Sequence, residues 1–498
     1  MSNRTCGLFS YLKTLGVRLM RKATYVTTSI PYVNARPHIG FALELVQADV
    51  VARYSRLLGR TTRFQTGTDE NAFKNVLSAR DEGISPQELV ERNSSLFQDL
   101  CTALNISADN FLRTTDEKHQ NAVHHFWRKL KKEDIYLNKY KGLYCIDCED
   151  FYLERELVNG RCPDHDTEPV QIDEENYFFR LSSYQEQLKK LLETDKIRVV
   201  PGSRKNEVLS FISRGLQDIS ISRSYERSGG WGIQVPGDPS QVVYVWIDAL
   251  INYVSGLGFG ARSDWDSFWD SETLKVHVIG KNVWKFHAVY WPALLISAGL
   301  PLPDEIVVHG FLTENGQKIS KSKGNTINPF ACISDYGADT VRYYLLRAVS
   351  PFGDGDFSTE RLKSLHNSDL ANGLGNLVSR LTSLCHRSDY GDYDDSEIPT
   401  APEGYDEALH NYEFGKALKT LWTVVTHLNQ DIDRREPWKA LKDGSFPALK
   451  TQLTEWLGDL HMVGYWLAPF LPATSEKIIS LLSTRPIRVG VPLFPRVV

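Results

Sequence analysis

Five short runs rich in β-branched and aromatic residues, at 25–30, 62–66, 242–246, 274–279 and 306–309, recur along this chain with helical patterns between them. Strands alternating with amphipathic helices predict a parallel α/β sheet with helices packed on its faces. The alternation is interrupted. Between about Thr115 and Ser222 it breaks into short segments around a cysteine cluster, as expected of an inserted subdomain. After about Leu362 the strand signals stop, and amphipathic patterns at 370–384, 408–432 and 448–465 predict a helical bundle. Pro469, Pro472, Pro486, Pro492 and Pro495 then punctuate a short tail, and no internal repeat or low-complexity segment occurs.

At 498 residues the chain exceeds a single hydrophobic core, so several domains are expected. A net charge of −5 means that any nucleic-acid contact has to come from local basic patches. The longest apolar run, 242–251, is broken by Asp248 and is too short to span a bilayer, so no membrane role is expected. Residues 1–21 carry Arg4, Lys13, Arg18 and Arg21, and no acidic residue precedes Glu44. Two readings stand: a mitochondrial presequence, or an upstream extension with Met20 as the natural start.

Two segments suit phosphate chemistry. Pro37-His38-Ile39-Gly40 follows the first strand run and opens a helical pattern in which Leu43, Val46, Val50 and Leu57 share a face. A helix N-terminus reached through a small loop offers backbone N–H groups to an anion, and His38 adds a donor. Downstream, Lys318, Ser320, Lys321, Ser322 and Lys323 crowd together before Gly324 and Asn325, a composition that suits a mobile loop able to neutralise pyrophosphate. An HxG triplet alone is common, and lysine–serine runs also occur as solvated loops. Together, in this order on an α/β pattern, they describe a nucleoside triphosphate site gripped from both sides.

Seven cysteines in so long a chain do not make a disulfide framework, and their odd number argues for a reducing compartment. Cys145, Cys148, Cys162 and His165 follow a C-x2-C…C-x2-H pattern, three thiolates and an imidazole that suit one tetrahedral structural zinc with no open position. Cys6, Cys101, Cys332 and Cys385 read as small apolar residues. In the helical third, Asn376 and Arg380 are four residues apart and share a face. Trp438 follows Pro437 among Arg434, Arg435, Lys439 and Lys442. An exposed aromatic among cations stacks single-stranded bases; an ordinary helix end with a buried tryptophan is the alternative.

From about Tyr25 to the C-terminus the chain resembles the class I aminoacyl-tRNA synthetases and, among them, the methionyl-tRNA synthetase family. Thr28-Ser29-Ile30-Pro31-Tyr32-Val33-Asn34 leads into a HIGH-like motif, and Lys318-Ile319-Ser320-Lys321-Ser322 is a KMSKS-like loop. Gly67-Thr68-Asp69-Glu70, Tyr244-Val245-Trp246-Ile247-Asp248-Ala249 and Ile279-Gly280-Lys281 are further matching blocks. The resemblance implies a Rossmann-like parallel-sheet catalytic domain with an inserted zinc-knuckle subdomain, followed by an α-helical anticodon-binding bundle. Its divisions are an N-terminal extension (1–22), the first half of the catalytic core (23–115), the connective insert (116–221), the second half of the core (222–310), a KMSKS-loop linker (311–362) and the anticodon domain (363–498).

The resemblance further implies ATP with Mg²⁺, L-methionine and initiator and elongator tRNA(Met) as partners. His38, Lys318 and Lys321 are then catalytic, with Gly40, Ser320 and Ser322 beside them on ATP. Asp69 holds the methionine ammonium. Ile30, Tyr32, Trp246, Ala249, Tyr253, Val283 and His287 wall the pocket, with Tyr32 and His287 suited to hydrogen-bond or touch the sulfur; each aromatic also suits plain core packing. Asn376, Arg380 and Trp438 match the anticodon-binding positions. With no appended dimerising module after the bundle, a monomer is expected, in the cytoplasm, or in the mitochondrial matrix if 1–21 is a presequence.

The pattern departs from the family at three places. Phe41 replaces the second histidine of HIGH, Asn71-Ala72 replaces the usual His-Gly, and Ile319 replaces methionine conservatively. Phe41 leaves three readings: a slower enzyme, a site compensated by His38 and the lysines, or a tRNA-binding or regulatory paralogue without catalysis. The intact remainder of the site favours the second. Among other class I synthetases, the isoleucine, valine and leucine enzymes carry a larger editing insert, and a cysteine enzyme keeps zinc among its substrate ligands.

Overall fold

The computed structural model describes residues 21–146, 150–152, 154–163, 166–262, 265–314, 316–319, 327–390, 393–444 and 446–497. They divide into two compact units, one formed by the described residues of 21–37, 59–99 and 108–308, the other by those of 38–58, 100–107 and 309–497.

The first unit is built on a six-stranded sheet in the order Asn110–Arg113, Thr61–Thr68, Ala23–Thr28, Thr273–Gly280, Glu305–His309, Arg198–Val200. Ala23–Thr28 is parallel to both neighbours, Val26 lying opposite Phe64 and Val276. A central parallel strand is covered on both faces, so its hydroxyls have to be satisfied inside the layer. Thr27 Oγ1 lies 2.7 Å from His277 Nδ1, and Thr28 Oγ1 lies 2.7 Å from Thr66 Oγ1. Gly67 is dictated by close approach, since a Cβ there would stand 2.1 Å from the Leu112 carbonyl oxygen on the adjoining strand.

The run at 242–246, expected as a strand of the parallel sheet, is divided. Asp238–Val243 belongs to a separate antiparallel sheet between Gln234–Val235 and Ser222–Ser224, and Tyr244 begins the helix Val245–Ser255. Almost every residue of that helix is buried, and an all-apolar run does not distinguish a buried helix from a buried strand. The insert forms an antiparallel sheet ordered Asp150–Tyr152, Ile135–Cys145, Val170–Phe179, Ile219–Ser220. It also returns one strand, Arg198–Val200, to the edge of the main sheet, parallel to Glu305–His309.

In the second unit, helix Ile39–Leu57 carries Asp49, which meets Arg342 of helix Ala338–Arg347 at 2.7 Å with both side chains fully buried. Such a pair persists only when its remaining polar atoms are bonded. Arg342 also donates to the Phe470, Pro469 and Leu104 carbonyls, and Asp49 accepts from Ser107. Burial alone would raise the Asp49 pKa; Arg342, then Arg53 and Ser107, outweigh it and hold the carboxyl below its ordinary range. A small sheet (Gln317–Lys318, Leu312–Glu314, Gly355–Asp356) joins strands from either side of helix Ala338–Arg347. The pattern at 408–432 resolves into Tyr405–His410 and Phe414–Arg435, separated at Tyr412, whose φ is 59°. The pattern at 370–384 resolves into a π-helical stretch, His366–Gly375, continuing as Asn376–Arg387. Among the described residues no helix is long and apolar enough to cross a membrane.

Candidate active site

Asp69 emerges just past strand Thr61–Thr68 and is fully buried. Its backbone N–H donates to Pro31 O at 2.8 Å, and a parallel bridge joins it to Tyr32. Ile30, Tyr32 and Asp69 therefore gather beyond the carboxyl ends of two adjacent parallel strands, where open α/β sheets bind ligands. The neighbouring carboxylate is committed elsewhere. Glu70 accepts from Arg113 Nε at 2.6 Å and Thr68 Oγ1 at 3.0 Å, and from the hydroxyls of Ser94 and Thr115. It is a structural anchor beneath Asp69.

Helix Val245–Ser255 presents Trp246, Ala249 and Tyr253 along one face. The Trp246 ring lies 5.8 Å from that of Tyr32 and stacks on Phe286 at 4.1 Å with 8° between planes. Tyr253 OH lies 2.6 Å from His287 Nε2, and His287 Nδ1 lies 2.9 Å from Val283 O. A carbonyl only accepts, so Nδ1 carries the hydrogen and Nε2 accepts from the tyrosine. Burial pushes the His287 pKa down to about 4, which keeps the ring neutral. With both nitrogens engaged, His287 has no N–H left to donate, and its ring is held in place. It sits in a π-helical turn, Phe286–Tyr290, the kind of irregularity that collects at functional sites. Phe286 was not singled out from sequence; its only signal there is adjacency to His287.

In the second unit His38 caps helix Ile39–Leu57, its Nδ1 accepting the Gly40 N–H at 3.1 Å. The imidazole hydrogen is then on Nε2, as a donor to phosphate requires. Gly40 makes this possible, because a Cβ there would stand 2.9 Å from the His38 ring. The Ile39 N–H donates to Ile327 O at 3.1 Å, and Phe41 N–H to His38 O at 3.0 Å. The first backbone N–H groups, expected to face an anion, are thus already engaged within the protein. Phe41 is buried.

Lys318 ends the strand Gln317–Lys318, its backbone opposite Thr313, and buried Ile319 donates to Leu312 O at 3.5 Å. Ser320, Lys321 and Ser322 lie outside the described residues. The segments flanking them are pinned, Ile319 to Leu312 and Ile327 to Ile39.

Cys145 closes strand Ile135–Cys145 and is buried, as is Cys162. Cys145 Sγ lies 3.4 Å from Thr167 Oγ1, while Thr167 O accepts the Cys162 N–H at 2.9 Å. One threonine thus draws the two cysteines together. Cys148 and His165 lie outside the described residues, and no metal-ligand cluster occurs among those described.

In the helical region Asn376 and Arg380 line a pocket of about 370 Å³ with Asn372, Trp422, Asn429 and Asp433. Arg380 pairs with Asp433 at 2.5 Å and lies 6.0 Å from the Trp438 ring, which is 43% exposed.

A family model described as tRNA synthetases class I (M) matches residues 24–174 and 165–382. A methionine–tRNA ligase of Caldanaerobacter subterraneus subsp. tengcongensis is 41% identical over 480 residues, 93% of this chain and 74% of its own length. That of Brucella suis is 41% identical over 490 residues, 93% of this chain and 92% of its own. The Mycobacterium tuberculosis methionyl-tRNA synthetase, solved with methionyl-adenylate, superposes with a TM-score of 0.87 at 36% identity, covering 95% of this chain and all of that one.

Proposed function

The chain belongs to the methionine–tRNA ligases among the class I tRNA synthetases, and on that premise we infer that it activates L-methionine with ATP and transfers it to the 3′-terminal adenosine of tRNA(Met). One geometric observation carries the reading: a fully buried carboxylate, Asp69, bridged to Tyr32, whose ring faces Trp246. An ammonium paired with Asp69 beside apolar aromatic walls is the chemistry methionine requires.

In the first step the methionine carboxylate attacks the α-phosphate of magnesium–ATP in line and pyrophosphate leaves. The nucleophile is already an anion, so no protein base is needed, and catalysis consists of positioning and charge stabilisation. His38, through Nε2–H, and Lys318 and Lys321 neutralise the leaving phosphates; Gly40, Ser320 and Ser322 line the same path. In the second step the terminal ribose 2′-hydroxyl of tRNA attacks the adenylate carbonyl. Asn376, Arg380 and Trp438 read the anticodon, supported by the exposure of Trp438 and its place beside Arg380.

The two buried cysteines fit a thiolate set that Cys148 and His165 would complete, holding a structural zinc that stiffens the insert. We place the protein where tRNA is charged, the cytoplasm, or the mitochondrial matrix if 1–21 is a presequence. ATP–pyrophosphate exchange run across candidate amino acids tests the reading. Exchange should require methionine; folded protein that exchanges with none, or with another amino acid, sinks it.

A further inference from the structure

Behind the methionine pocket, Asn71, Asp248, His119 and Ser255 form one continuous hydrogen-bonded row. Asn71 Nδ2 donates to Asp248 Oδ2 at 2.7 Å and to Thr114 O at 3.1 Å, while its backbone N–H reaches Asp69 Oδ1 at 3.3 Å. Asp248 Oδ1 lies 2.6 Å from His119 Nε2, and His119 Nδ1 lies 2.7 Å from Ser255 Oγ. A carboxylate only accepts, so His119 Nε2 carries the hydrogen between them, and Nδ1 shares a hydrogen with the serine hydroxyl. Asp248, His119 and Ser255 are buried. Both carboxylate oxygens of Asp248 are occupied, one by His119 and one by Asn71.

Asp248 and Ser255 sit seven residues apart on helix Val245–Ser255, the helix that carries Trp246, Ala249 and Tyr253. His119, on helix Glu117–Lys129, fixes that helix from behind. Asn71 also contacts Asp69, through its backbone N–H. It joins the residue that takes the ammonium to the element that walls the side chain.

We propose that Asn71 is a positioning residue that fixes the separation between the Asp69 carboxylate and the aromatic wall, and so the length of amino-acid side chain the pocket accepts. This rests on the methionine-activating reading above. Asn71 stands where the resemblance leads one to expect histidine, and both side chains carry an N–H donor.

The experiment is steady-state ATP–pyrophosphate exchange with methionine and with ethionine, one methylene longer, on wild type and on Asn71→Ala, Asn71→Asp and Asn71→His, each checked for an unchanged unfolding midpoint. Loss of a hydrogen bond to a buried carboxylate should raise the methionine KM of Asn71→Ala about 10-fold with little change in kcat or in the KM for ATP. Asn71→Asp, nearly isosteric, should be worse, because it sets two carboxylates against each other. Asn71→His should recover most of the loss. The methionine-to-ethionine ratio of kcat/KM should fall in the alanine variant, which a purely structural weakening would leave unmoved. Active wild type with an alanine variant unchanged in both KM and that ratio overturns the proposal. Wild type that exchanges with no methionine overturns the functional reading instead.

Discussion

Tyr253 donates its hydroxyl hydrogen to His287 Nε2 across 2.6 Å, and His287 hands its own Nδ1 hydrogen to the Val283 carbonyl at 2.9 Å. The relay fixes the tautomer and the ring plane of a buried wall residue. Tyr253→Phe keeps the packing but leaves Nε2 without a donor, an unsatisfied buried acceptor that costs about 1–3 kcal/mol. The unfolding free energy should drop by that amount and the methionine KM should rise several-fold, with the KM for ATP unchanged. Denaturant titration and exchange kinetics read the two effects.

The same histidine makes stability pH-dependent. Its pKa is lowered from 6.5 to about 4 by burial. Below pH 6.5 the unfolded chain takes up a proton at this ring that the folded protein refuses until about pH 4. The unfolded state then binds more protons, and stability falls as pH drops through that window. At about 1.4 kcal/mol per unit, the loss is ~3 kcal/mol. His277, its pKa also pushed well below 6.5 by burial, adds in the same direction. His287→Gln should flatten the fall by the His287 share; an unchanged slope between pH 6.5 and 4 removes His287 as its source.

Much of this was legible in the sequence, and the exceptions have physical causes. The strand runs at 25–30, 62–66, 274–279 and 306–309 matched because β-branched runs with polar ends have one buried solution in a parallel sheet. The run at 242–246 did not, because it is uniformly apolar and Val242, Val243 and Val245 are all buried, which leaves no period to separate strand from helix. The exposure of Trp438 was legible through its cationic neighbours. The row from Asn71 through Asp248 to His119 was not, because its members lie 177 and 129 residues apart and only the fold brings them together.

Phe41 is buried in helix Ile39–Leu57, and the nearby imidazole is His38, set as the cap by Gly40. Removing the donor should therefore matter far more than the missing second histidine. His38→Ala should lower methionine-dependent exchange by about 10²–10³-fold, the usual cost of one transition-state donor. Phe41→His should change it only a few-fold. A large gain from Phe41→His would mean that phenylalanine, and not the geometry of His38, limits the rate.

Cys145 and Cys162 are both buried and both drawn to Thr167. Protein purified without chelator should retain about one zinc per chain after extensive dialysis, measured by elemental analysis. Cys145→Ser should lose it and lower the melting midpoint of the insert. Fully folded, metal-free wild type would remove the knuckle from the account.

Trp438 is 43% exposed at the start of helix Pro437–Asp443, with the Arg380 guanidinium 6.0 Å from its ring and Asn376 one helical turn before Arg380. Little of the ring's area is used in the core, so truncating it should leave folding nearly intact. A base stacked on such a ring is worth about 1–3 kcal/mol. Trp438→Ala should thus reduce kcat/KM for tRNA charging by roughly 5- to 150-fold while methionine-dependent exchange, which needs no tRNA, stays at the wild-type rate. The split between the two assays is the diagnostic. Equal losses in both would assign Trp438 to folding, and no loss in charging would move the base-stacking surface elsewhere on the bundle.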